Sequence, residues 1–144
     1  MCIELITNPL LVNPLLAAAI SQCIKSIIEW SRHGEFHWRY LFISAGMPSS
    51  HTAAVTALSF TVFFVEGATN LFAVTCVFSA VVIRDVLGDK AFAQTQEKLV
   101  NDTIANLFKK KFTLIEWDEF IGHTFIEVLA GFILGATVAT AICF

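Results

Sequence analysis

Gly46-Met47-Pro48-Ser49-Ser50-His51 is a small-residue turn that ends in a histidine where an apolar helix begins. At such a start the backbone N–H groups of Ser49, Ser50 and His51 have no intrahelical partner, and the positive end of the helix dipole favours an anion. A phosphate group suits that place, and His51 would add a hydrogen bond or a proton. Far along the chain, His123 and Glu127 are four residues apart and so share one helix face. A carboxylate there accepts from His123 Nδ1, fixes the tautomer and leaves Nε2 as a nucleophile or base. Lys25 and Arg32 supply positive charge for the equatorial oxygens of a phosphoryl group in transfer. Arg84, Asp85 and Lys90 form a third charged group.

Each residue also has a plainer reading. Ser49 or Ser50 is an ordinary N-cap and His51 a surface residue; His123 and Glu127 make a structural hydrogen bond; Lys25 snorkels to an interface; Asp85 pairs locally with Arg84 or Lys90. Joint placement argues for more. Ionisable side chains are costly in a bilayer, and these lie at the ends of several apolar segments, as a shared pocket requires.

The elements that position them are apolar. Of 144 residues 56 % are hydrophobic and 15 % charged, the mean hydropathy is +0.72, and most of the charge falls at 25–40 and 84–119. This balance implies an all-α integral membrane bundle of about four transmembrane helices, residues 1–144 forming a single membrane-embedded domain. A net charge of -3 and no dense basic stripe exclude nucleic-acid binding. Lys109-Lys110-Lys111 reads as a headgroup-facing cluster. Cys2, Cys23, Cys76 and Cys143 stand singly in apolar surroundings or at the termini and read as small buried hydrophobes, with no disulfide framework and no zinc site. No metal and no cofactor is called for. The N-terminus carries no basic residue before its apolar run, so that run is expected to be retained rather than removed as a signal peptide.

The first span is expected from residue 9 to about residue 30, with Pro14 in a first helical turn. The second runs from the Pro48 turn to about residue 65, and a short turn at 66–70 makes the third, 71–83, its antiparallel neighbour. Both are short for a bilayer and call for shielding by neighbours or local thinning. Residues 89–119, with Leu99, Ile104, Leu107 and Phe108 at helical spacing, imply an amphipathic surface helix between the third and fourth spans. The fourth span covers 120–144. Its Gly131 and Gly135 form a Gly-x-x-x-Gly face suited to close approach by another helix, and so to a possible homodimer. Every one of the 9 lysines and arginines lies between Lys25 and Lys111. Positive-inside reasoning therefore places both long loops, 31–45 and 84–119, in the cytoplasm and both termini outside.

The spacing Lys25-x6-Arg32, then Pro48-Ser49-Ser50-His51, then His123-x3-Glu127 resembles the three-part signature of type 2 phosphatidic acid phosphatases and vanadium-dependent haloperoxidases. The chain is most similar to their small divergent membrane relatives, the acid phosphatase/vanadium-dependent haloperoxidase-related proteins. Asn13-Pro14-Leu15-Leu16-Ala17-Ala18, Gly46-Met47-Pro48-Ser49-Ser50-His51 and Gly122-His123-Thr124 with Glu127-Val128 carry that likeness, which covers nearly the whole chain. It implies that His123 attacks phosphorus to give a phosphohistidine, that Glu127 orients it, and that His51 protonates the leaving group. Lys25 and Arg32 would hold phosphate, with Ser49, Ser50, Arg84 and Lys90 as further phosphate contacts and Asp85 in support. It also implies a lipid phosphate as substrate and a bacterial inner membrane as the setting. The chain departs from the pattern at Gly88-Asp89-Lys90-Ala91, where the relatives carry two arginines. A lysine there is a point charge without arginine's bidentate grip.

Overall fold

A computed structural model describes residues 7–34, 46–108 and 123–144. Among these are four helices: α1 (Pro9–His33), α2 (Ser50–Glu66), α3 (Asn70–Phe108) and α4 (Phe125–Cys143). The architecture is the expected all-α bundle. Three of its helices, α1, α3 and α4, are long and apolar enough to cross a membrane. With 17 residues α2 spans only about 25 Å, short of a hydrocarbon core of about 30 Å. It is shielded by its neighbours, since it packs against all three other helices.

Local chemistry sets the helix ends. The Asn8 side chain caps α1 by accepting from Leu10 N at 2.9 Å, and Pro9 takes the first position, where a missing N–H costs nothing. Pro14 therefore sits inside the helix rather than in its first turn. Gly34, at φ 73°, ends α1 in the left-handed conformation and donates to Trp30 O.

Small residues form the interior. Gly135 lies so close to α2 that a Cβ there would stand 2.3 Å from Ala53 O, and one on Gly131 would stand 2.5 Å from Ser49 O. Around this contact Ala17, Ala53, Ala57, Val138 and Ala139 are buried. Lipid tails are as apolar as leucine, so membrane helices gain from backbone proximity rather than from bulk. The Gly131/Gly135 face is thus used within the chain and is closed to a second copy, which corrects the expected route to a homodimer. The large apolar side chains, such as Leu15, Ile27, Val74 and Val77, point outward. Cys23 and Cys76 are exposed with them and Cys143 is half-buried. Apolar surroundings do not imply burial when the solvent is lipid, so the expectation of buried cysteines fails at these positions.

The third span and the amphipathic segment after it are one helix. At 39 residues α3 is about 58 Å long, about twice the hydrocarbon thickness. A lone Gly88 costs a helix only about 1 kcal/mol, too little to break it without a cap or a proline. The remainder of the expected surface helix, 109–119, lies outside the described residues.

Candidate functional site

The site forms where the C-terminal part of α1, the start of α2, the middle of α3 and the start of α4 meet. Ser21 Oγ on α1 donates to Pro48 O at 2.9 Å, which ties the turn before α2 to the first helix. Ser49 is the N-cap of α2; its Oγ accepts from Thr52 N at 3.4 Å and makes a 3.1 Å bond with Thr52 Oγ1. Its own N–H donates to Glu127 O at 3.0 Å, joining α2 to α4. His123 N donates to Val86 O at 3.2 Å, joining the entry of α4 to α3.

Thr124 and Glu127 form a capping box: Glu127 N donates to Thr124 Oγ1 at 3.4 Å, and Thr124 N donates to Glu127 Oε2 at 3.2 Å. The same Oε2 lies 2.8 Å from His123 Nδ1. Glu127 is therefore held by its own helix start while it holds the imidazole. His123 is only 3 % exposed, and its Nε2 is buried without a hydrogen-bond partner among the described residues. A buried polar atom left unpaired costs about 1–3 kcal/mol, and such an atom in a folded protein calls for a reason. With Nδ1–H given to the carboxylate, Nε2 carries the lone pair. Burial holds the His123 imidazole below its ordinary 6.5; the Glu127 hydrogen bond pulls the other way, and the nearby charges of Lys25 and His51 lower it further. Burial thus favours the neutral form of the ring.

His51, exposed in the first turn of α2, has its ring centroid 6.4 Å from that of His123, edge to face. Lys25 is buried at 1 % exposure and lies within electrostatic reach of both His123 and Glu127. Gly46, at φ 102°, lies over its stem, where a Cβ would stand 3.4 Å from Lys25 Cγ and Cδ. Any larger residue there would be strained in backbone.

Lys25, His51, His123 and Glu127 thus come together, with Ser49 and Ser50 beside them at the helix start. Ser49 serves as cap and interhelix tie, so its N–H is spent, and the first-turn N–H groups of Ser50 and His51 are those left for an anion. Arg84 and Asp85 are not drawn in: they pair with each other at 4.0 Å, their side chains 87 % and 65 % exposed. The side chains of Arg32 and Lys90 lie outside the described ones. No group of three or more His, Cys, Asp or Glu residues suited to a metal ion occurs among the described residues. Two contributors were missed from the sequence. Thr124 was legible there, since Thr-x-x-Glu before an apolar run is the capping-box pattern. The Val86 carbonyl was not, because nothing in a helix interior marks which carbonyl will take a second donor.

The sequence profile described as the Divergent PAP2 family matches residues 6–138. The chain belongs to that family. A similar protein is the uncharacterized membrane protein YuiD of Bacillus subtilis (strain 168), 32 % identical over 145 residues and covering 92 % of each chain. No solved structure matches at a significant level. This divergent PAP2 chain is thus an integral membrane protein of a phosphatase-related family, with its paired histidines at one end of the bundle.

Proposed function

We propose that the protein is a lipid-phosphate phosphatase acting by a phosphohistidine mechanism, with residues 1–144 as one catalytic domain. The observation that carries this reading is His123 Nε2, buried and without a partner among the described residues while Nδ1 is held by Glu127. The lone pair of Nε2 attacks phosphorus, and the bond from phosphorus to the lipid oxygen breaks in line. His51 gives its proton to that oxygen, so the dephosphorylated lipid leaves neutral. His51, now a base, takes a proton from water, whose oxygen displaces His123 from phosphorus and releases phosphate. The Lys25 charge and the free N–H groups of Ser50 and His51 stabilise the equatorial oxygens throughout. Helices open to the bilayer suit a substrate that arrives laterally. The lysine and arginine distribution favours the cytoplasmic face, and the Bacillus relative favours a bacterial inner membrane.

One observation favours a rival, a lipid-phosphate-binding scaffold without turnover. The resemblance implies two arginines after Asp85 where the chain reads Gly88-Asp89-Lys90-Ala91, and Arg84, the nearest replacement, is exposed and pairs with Asp85. Phosphate release from phosphatidate, phosphatidylglycerophosphate and polyprenyl phosphates in lipid nanodiscs separates the two. Release by the wild type and none by His123→Ala supports the phosphatase; binding with no release by either supports the scaffold.

A further inference from the structure

A groove of about 460 Å³ runs beside the site, in the size range of ligand pockets. Its floor is α2, with Phe60 and Phe63; one wall is α3, with Cys76, Ala80 and Ile83, and the other is Phe132 of α4. It exists because α3 and α4 both pack on α2 but scarcely touch each other. The lining is almost wholly apolar. Three hydroxyls border it: that of Thr56 is buried with no hydrogen-bond partner among the described residues, and those of Ser59 and Ser79 are turned to one another at 2.9 Å, with Ser79 Oγ also donating to Val55 O at 3.0 Å. The two serines offer nothing to a ligand. At the end away from the histidines, Phe63 and Phe72 close together with ring centroids 5.2 Å apart.

The groove and the site are in register on all three helices. Thr56, at the near end of the floor, follows His51 by five residues, or about 7.5 Å of rise, and Phe132 follows Glu127 by the same. Ile83 precedes Val86, whose carbonyl holds His123, by three residues, or about 4.5 Å. A molecule with an anion at His51 and His123 therefore meets the groove within two turns. Its open side lies between membrane-spanning helices and faces the bilayer.

We propose that this groove binds the hydrocarbon chain of the lipid phosphate whose headgroup occupies the histidine site. The assignment rests on the lipid-phosphate reading above and adds the chain-recognition site to it. A peptide is disfavoured because the lining offers a single unpaired hydroxyl, that of the buried Thr56, too little for a backbone that has no water to satisfy it at this depth.

The test is photolabelling in nanodiscs with two lipids that carry the same diazirine-bearing chain, one ending in a phosphate and the other in a free hydroxyl. The phosphate-bearing lipid should label groove residues such as Cys76 and Phe132 at least fivefold more than the hydroxyl lipid. Ala80→Trp, which fills the groove, should remove that excess, while Val81→Trp, on the outer side of the same helix, should keep it. Equal labelling by the two lipids, or labels spread over all lipid-facing surfaces, would overturn the proposal. In the turnover arm, a chain-length series should show kcat/KM rising and then levelling once the chain passes Phe63. Ala80→Trp should reduce the preference for long over short chains about tenfold; an unchanged preference would also overturn it. Groove labelling intact with no turnover on any lipid would retain the groove and reject the phosphatase.

Discussion

Two polar clusters are buried at opposite ends of this bundle, and they are built differently. Away from the histidines, Asn13 of α1 is 1 % exposed and donates through Nδ2 to Thr61 Oγ1 of α2 at 3.1 Å and to Cys143 Sγ at the end of α4 at 3.7 Å. Three helices are fastened by one amide whose donors are satisfied. At the other end Lys25, His123 and Glu127 are also buried or half-buried, yet His123 Nε2 has no partner among the described residues. A bilayer penalises unpaired polar atoms more than water does. The satisfied cluster fastens the helices, and the unsatisfied one is where the proposed chemistry would act.

Substitutions sharpen this contrast. The largest effect is expected from His123→Ala, which should lower phosphate release at least a thousandfold while the thermal midpoint in nanodiscs is not lowered. A midpoint falling as steeply as the activity would make the imidazole a structural element. Glu127→Gln keeps the size of the side chain but removes the charge that holds the imidazole tautomer. It should reduce kcat about a hundredfold, within the 10²–10⁴ range of general acid–base effects, and wild-type kcat in that variant would separate the carboxylate from the chemistry.

At the opposite end the expectation inverts. Asn13→Ala leaves Thr61 Oγ1 without its donor and should cost about 0.6–2 kcal/mol of stability, with kcat against a lipid phosphate unchanged. A kcat loss with stability intact would dissolve the distinction between the two ends. The smallest effect concerns protons. Because burial lowers the His123 value in the folded protein, the unfolded chain binds the proton first as pH drops below about 6.5. Stability from this group is complete above that pH and is lost as pH falls through the lower folded value. An imidazole nitrogen NMR titration should place His123 below a free imidazole; a value above 6.5 would contradict the proposed role of His123 as a neutral nucleophile.

Much of this arrangement is legible along single helices. The i, i+4 spacing of His123 and Glu127, the serine cap of α2 and the apolar spans all depend on residues within a turn or two of one another. Backbone geometry alone relates such neighbours, so the sequence by itself determined the membrane class, the helical architecture and the pairing of His123 with Glu127. Contacts between helices depend instead on which faces meet and how closely, and that only the tertiary structure decided. It turned Gly131 and Gly135 onto α2 rather than toward a second copy, spent the Ser49 N–H on Glu127, left Arg84 outside and opened the groove between α3 and α4. The physical reason is that in lipid nearly every helix face is apolar, so hydrophobicity does not say which face is inside. Close backbone approach and the pairing of buried polar groups make that choice, and both involve residues far apart in the chain.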